Sequence, residues 1–176
     1  FPEAPPGYEW KQVEMTVDSG ACDHVTPKKA MPTVRVKMTE AVKHGVTYSA
    51  ANGGIIPNEG EIDLEGYTED GKPLGLTLQV AEVSKPLAAV RKMCAAGNRV
   101  TFDDDPNDER YGGYIENKQT GSRTQIHKRG GTYGLTLWVL VPKVAQVLAQ
   151  TNNMFEELKE QEEEVMFECP VFLRHA

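Results

Sequence analysis

V-E-M-T-V-D-S-G-A, residues Val13 to Ala21, is the stretch on which the reading of the fold turns. Apolar and polar residues alternate, so an extended chain delivers Val13, Met15 and Val17 to one face, and the pattern stops at Asp18-Ser19-Gly20. Gly20 permits a tight loop that would hold the Asp18 carboxylate at the strand's end. A carboxylate so placed suits acid/base work. Two of them about 3 Å apart share one proton, so that one activates a water while the other donates. The sequence holds one such triplet and no second Asp-Ser-Gly or Asp-Thr-Gly. A partner for Asp18 would therefore come from a second copy, and a twofold homodimer with the site on its axis is the simplest arrangement.

Working outward, Pro2, Pro5, Pro6 and Gly7 predict an extended lead-in over residues 1–12. Short strand patterns follow at Val34–Met38, Val46–Ala50, Glu61–Glu65 and Leu74–Val80. Asn52-Gly53-Gly54 and Glu69-Asp70-Gly71 separate them, and these residue types tolerate the positive φ of hairpin turns. Lys85 to Ala96 changes to helical spacing, with Leu87, Val90, Met93 and Cys94 on one side and Gly97 as a stop. Strand patterns resume at Arg99–Phe102, Gly113–Asn117, Thr124–Lys128 and Thr132–Val139, so residues 97–141 read as an antiparallel meander interrupted by an acidic loop at 103–110. After Pro142 one stripe carries Val144, Val147, Leu148, Thr151, Phe155 and Leu158, which predicts an amphipathic helix over 143–164 within an acidic tail at 142–176.

A chain of 176 residues suffices for one domain with a real core but is short for a two-lobed enzyme carrying both carboxylates. The net charge of −7 gives no encouragement to a nucleic-acid or anionic-membrane role. Lys118, Arg123, Lys128 and Arg129 with nearby Tyr111, Tyr114 and Tyr133 make a local basic side, but alternating charges on a solvated sheet look the same. No run approaches about 18 consecutive apolar residues, so no membrane span is expected and the chain reads as soluble. Three cysteines without framework spacing favour free thiols and a reducing compartment. The start at Phe1-Pro2 without Met reads as a processed product or a piece of something longer, with any upstream targeting segment lost. Cys22 and His24 alone make an incomplete metal set, so neither metal nor cofactor is expected, and Ser19 with His24 lacks the flanks of a serine hydrolase. Packing roles follow: His24 within its loop, Cys22 as a small buried hydrophobe, and Cys94 in the core.

The run D-S-G-A-C-D-H, Asp18 to His24, resembles the D-S-G-A-x-x-H protease motif of copia-type retroelement polyproteins, relatives of the retropepsins. Y-S-A-A-N-G-G-I-I-P (Tyr48 to Pro57) is similar to their flap segment, and V-A-E-V-S-K-P-L-A-A-V-R-K-M (Val80 to Met93) to the strand and short helix that close the unit. G-N-R-V-T-F-D, Y-I-E-N-K-Q-T-G and T-Y-G-L-T-L-W-V are similar to the β-rich pre-integrase segment that follows the protease. The resemblance implies a mainly β chain: a retropepsin-like small β-barrel with one short helix at 13–96, an appended antiparallel β-meander at 97–141 and the C-terminal amphipathic helix. It implies an aspartic endopeptidase acting as a homodimer on polypeptide substrate, with Asp18 as the catalytic aspartate. Ser19 would support the loop through its hydroxyl, and Gly20 would allow the two loops to approach. Ala21, Asp23, Asn52, Gly53, Gly54 and Ile55 would line the cleft and flap. Leu87-Ala88-Ala89 stands where retropepsins commonly have an apolar-apolar-Gly triplet, so the packing behind the loop must accept an extra methyl. The alternative is a domesticated, non-catalytic assembly subunit that keeps the fold and holds a larger protein complex through the meander and the 143–164 helix.

Overall fold

Strands predominate in the computed structural model, which describes residues 1–108, 111–144, 148, 151, 152 and 154. β1 (Tyr8–Asp18) is followed by β2 (Val25–Thr26), the single helical turn α1 (Glu40–Lys43), the hairpin strands β3 (Thr47–Ser49) and β4 (Ile55–Pro57), and the long antiparallel pair β5 (Gly60–Thr68) and β6 (Pro73–Val80). β7 (Leu87–Ala89) runs straight into α2 (Val90–Ala95). The strands β8 (Asn98–Thr101), β9 (Tyr114–Asn117), β10 (Arg123–Gln125), β11 (His127–Arg129) and β12 (Thr132–Pro142) follow.

Six strands close on themselves in the order β1-β7-β2-β6-β5-β12, with β12 returning to β1. The closing seam is antiparallel and long, from Tyr8 opposite Pro142 to Thr16 opposite Gly134. Closure reduces the exposed sheet edges that invite pairing with other chains. Alternation then decides what lies inside: Val13, Met15 and Val17 of β1 meet Ile62 and Leu64 of β5, Leu78 and Val80 of β6, and Leu137, Val139 and Val141 of β12 in one buried cluster. Burying a side chain of this size contributes about 1.5–3 kcal/mol. Gly66 on β5 is required by proximity: a Cβ there would collide with the Trp138 carbonyl oxygen and lie 3.1 Å from Val139 Cγ1 on β12.

The mainly β reading holds, and several local expectations change. Strand structure begins at Tyr8, because β12 pairs with β1 that far, so only residues 1–7 remain of the lead-in. Val34–Met38 forms a single bridge, Lys37 to Glu61; β5 is already paired to β6 along its length, and β12 takes its far end at Gly66 to Thr68. The helix expected from Lys85 starts only at Val90, since Leu87–Ala89 is drawn out by pairing with β1 and β2 on its two sides. The meander divides: β8, β9 and β10 make a separate three-stranded sheet, whereas β12 is a barrel strand. The split falls at the fully buried Ile126, whose N–H bonds the Gly113 carbonyl at 3.0 Å. α1 is an addition, capped by the Thr39 hydroxyl accepting from the Val42 N–H at 3.4 Å. The amphipathic helix expected over 143–164, and the acidic tail with it, falls largely outside the described residues. Among the described residues no helix is long and apolar enough to cross a membrane.

The β5–β12 contact sets an expected outcome. Gly66→Ala should lower unfolding free energy by about 1–3 kcal/mol, the range for overpacking. Gly75→Ala, on β6 with nothing within 4 Å of its added methyl, should stay within about 0.5 kcal/mol. Urea unfolding of the two variants checks it; equal losses would remove the steric account of this seam.

Candidate functional site

β1 delivers Asp18 to the end of the barrel, where its backbone stands opposite Ala89 in a parallel register. Immediately afterwards the chain turns: the Gly20 N–H donates to Asp18 Oδ1 at 2.7 Å, a side-chain-closed turn of the type Asp favours. Gly20 is absent from the left-handed region, so its value lies in space, since a Cβ there would sit 3.2 Å from that same carboxylate oxygen. Asp18 is half-buried, whereas Ser19 and Gly20 are exposed.

Behind this loop, β7 lies between the strand that enters it and the strand that leaves it. Thr16, Val17 and Asp18 of β1 pair with Leu87, Ala88 and Ala89 in parallel, and Val25 of β2 pairs with Leu87 in antiparallel fashion. Ala88 and Ala89 are both buried. The methyl of Ala89 is therefore accommodated in the packing. A second lock comes from His24, whose Nδ1 accepts the Ala89 N–H at 3.0 Å. That role needs the neutral imidazole with its proton on Nε2. Burial lowers the His24 pKa, the neighbouring Lys92 charge lowers it further, and Asp23 opposes both.

Asp23 ties this loop to the hairpin. Its carboxylate meets Lys92 of α2 at 3.0 Å and accepts from the Tyr48 hydroxyl of β3 at 3.3 Å. Burial, with the Asp23 charge second, pushes the Tyr48 phenol up to about 12, so it remains a donor. Asn58, itself buried, donates to Tyr48 Oη at 3.0 Å and to Gln79 Oε1 at 2.9 Å, and its own Oδ1 accepts the Gly60 N–H at 2.8 Å. A small cavity of about 220 Å³ opens beside Asp23 and His24, bounded by Leu76, Thr77 and Gln79 of β6 and by Lys92.

The structure thus gathers Asp18, Ser19, Gly20, Ala21 and Asp23 on one loop and sets the other named residues apart. Asn52, Gly53, Gly54 and Ile55 form the exposed tip of β3–β4, a hairpin that is a two-stranded sheet of its own. Gly53 has φ +82°, the Gly54 N–H bonds Asn52 Oδ1 at 2.9 Å, and Ile55 is 73% exposed. It is the hairpin's base, through Tyr48, that touches the loop. His24, Tyr48, Asn58, Gln79 and Lys92 escaped the sequence reading as a group; they are scattered along the chain with no spacing to announce them.

Other expectations are corrected or refined. Cys94 is exposed, because a helix that begins at Val90 buries Met93 instead, and Cys22 is exposed on the loop. Neither thiol packs as a buried hydrophobe. Three of the basic-side cations are engaged with acids: Arg123 bonds Glu116 at 3.2 Å while stacking on Tyr114, Lys128 pairs with Asp104, and Arg129 meets Glu14 at 2.9 Å. Among the described residues no three His, Cys, Asp or Glu side chains gather as metal ligands.

Removing the His24 ring should cost about 1–3 kcal/mol in His24→Ala, the penalty for an unpaired buried N–H at Ala89. The pH dependence has a definite sign. With the folded pKa of His24 below its ordinary 6.5, the unfolded chain takes up the proton first, so wild-type stability falls as pH drops through 6.5 towards the folded value. Denaturation profiles between neutral and mildly acid pH should show this slope in wild type and lose it in His24→Ala; a slope common to both would assign it elsewhere. No family model, curated protein or solved structure matches the chain.

Proposed function

We propose that the chain is an aspartic endopeptidase of retroelement type, acting as a homodimer in which each protomer supplies Asp18 to activate water for peptide-bond hydrolysis. The observation that carries this reading is the placement of Asp18. It ends a barrel strand, is braced from behind by Ala88 and Ala89 of β7, and is followed by an exposed Ser19-Gly20 that leaves room for a second loop. Two such loops on a twofold axis would bring two carboxylates close enough to share a proton. One ionised carboxylate then takes a proton from water as its oxygen attacks the peptide carbonyl, and the protonated partner donates to the carbonyl oxygen.

The hairpin supports the same reading. It stands outside the barrel, its tip at Asn52 to Ile55 is exposed, and its base is fastened by Tyr48 to Asp23 of the loop. Such an element can close over an extended peptide, which would bind by backbone pairing and be chosen by side-chain pockets. A retropepsin-like reading of the barrel draws on the resemblance of Asp18 to His24, Tyr48 to Pro57 and Val80 to Met93 to the copia-type protease segments. The observed course of β7 into α2 accords with the last of these.

Cleavage of a peptide library by purified protein, with mass by light scattering in the same buffers, tests the proposal. Wild type should cleave as a dimer, and Asp18→Asn should remain dimeric while losing about 10²–10⁴-fold in rate, the range for a positioned acid/base group. A monomer without cleavage at any concentration would replace the protease with a non-catalytic assembly subunit of the same fold.

A further inference from the structure

Residues 1–7 do more than lead in. Pro6 and Gly7 occupy the central positions of a turn in which Gly7 has φ +82° and the Tyr8 N–H bonds the Pro5 carbonyl at 3.0 Å, the arrangement of a type II turn. The turn folds the proline-rich segment back over the outside of the barrel. There β1, β5 and β12 present Trp10, Tyr67 and Trp138 together, Trp138 being in register with Tyr67 and with Gln12, two residues beyond Trp10. The Phe1 ring sits 5.7 Å from Trp10, 5.3 Å from Tyr67 and 5.7 Å from Trp138, centroid to centroid. Beneath it the Trp10 indole Nε1–H donates to the Pro2 carbonyl at 2.9 Å. Alongside runs an open groove of about 580 Å³, bounded by Pro2, Pro5, Trp10, Tyr67, Pro73 and Leu140 among others.

We propose that this aromatic face is a recognition site for an extended, proline-rich peptide segment of Phe-Pro-x-x-Pro-Pro character on another polypeptide, and that residues 1–6 fill it in cis. Proline lacks an N–H and is restricted in φ, so such a segment offers carbonyl acceptors and flat apolar rings at a low ordering cost. The face supplies the complement: ring surfaces at stacking distance and an indole that can only donate. Aromatic grooves that read polyproline segments use the same ingredients. The cis segment is loosely held, since Phe1 is 59% exposed despite its three ring contacts and Pro2 and Pro5 wall an open groove against the barrel instead of closing onto it. Tethered residues act at an effective concentration in the millimolar range, so a segment in trans must compete with them. The inference does not depend on catalysis by Asp18.

The test titrates the synthetic peptide Phe-Pro-Glu-Ala-Pro-Pro-Gly into the whole chain and into its Phe1→Ala/Pro2→Ala variant, followed by tryptophan fluorescence and calorimetry. The vacated variant should bind one peptide saturably and at least ~10-fold more tightly than wild type, because the tethered competitor is gone. Adding Trp10→Phe, which keeps a ring but removes the donor, should weaken binding by about 3–10-fold, the worth of one hydrogen bond. A folded vacated variant that takes up no peptide, or that binds equally well with Trp10→Phe and Tyr67→Ala, overturns the proposal. If the double variant does not fold, wild type in excess peptide decides the matter: the Trp10 indole proton resonance should move as residues 1–6 are displaced, and an unmoved resonance overturns it.

Discussion

The pairing of β7 with the last three residues of β1 is the constraint on which the site depends. Thr16, Val17 and Asp18 have their outer edge fixed by Leu87, Ala88 and Ala89, and the same short strand holds β2 on its other side through Leu87. The loop from Ser19 to His24 is therefore pinned at both ends by one insertion. Ala88 and Ala89 of this inserted strand are both buried, and Leu87 at its start is half-buried. His24 adds a side-chain bond to the backbone that the insertion brings, so loop and inserted strand are joined by both ladder and imidazole.

From that fixed point a polar path leads outward. Asp23 is shared between Lys92 of α2 and Tyr48 of β3, and Asn58 carries the connection on to Gln79 of β6, which donates to Glu61 of β5 at 3.1 Å. The half-exposed Lys92 pair is worth little by itself, about 0–1 kcal/mol. The path matters for position, because it makes the hairpin's base and the Asp18 loop respond to a common carboxylate. The hairpin's tip, bonded chiefly to itself, is left free of that restraint.

Much of the barrel was legible because its signals are local. The alternation at Val13, Met15 and Val17, and the paired runs flanking Glu69-Asp70-Gly71, report period and turn within a few residues, and both appear as strands. β7 was not legible, since Leu87, Val90, Met93 and Cys94 fit a helix as well as a strand-to-helix junction, and only two distant partners make Leu87–Ala89 extended. The same is true of β12: its alternation shows a strand, but nothing nearby says that Tyr8 to Thr16 will be its neighbour. Asp18 could be singled out from its triplet. His24, Tyr48, Asn58 and Lys92 could not be assembled around it, because their contacts cross the chain and leave no motif.

The β1–β12 seam has a kinetic consequence. Its two halves come from opposite ends of the barrel sequence, so β1 leaves the ribosome long before the residues up to Pro142 that will cover its edge. Until then β1 and β5 each present an unpaired side, and the nascent chain carries two sticky edges without a lid. Contacts of such sequence separation are slow to form, since the loop between them must be closed before any pairing rewards it. Barrel closure is thus a late, chain-wide event, and a nascent chain stalled short of β12 is the species most exposed to pairing with its neighbours.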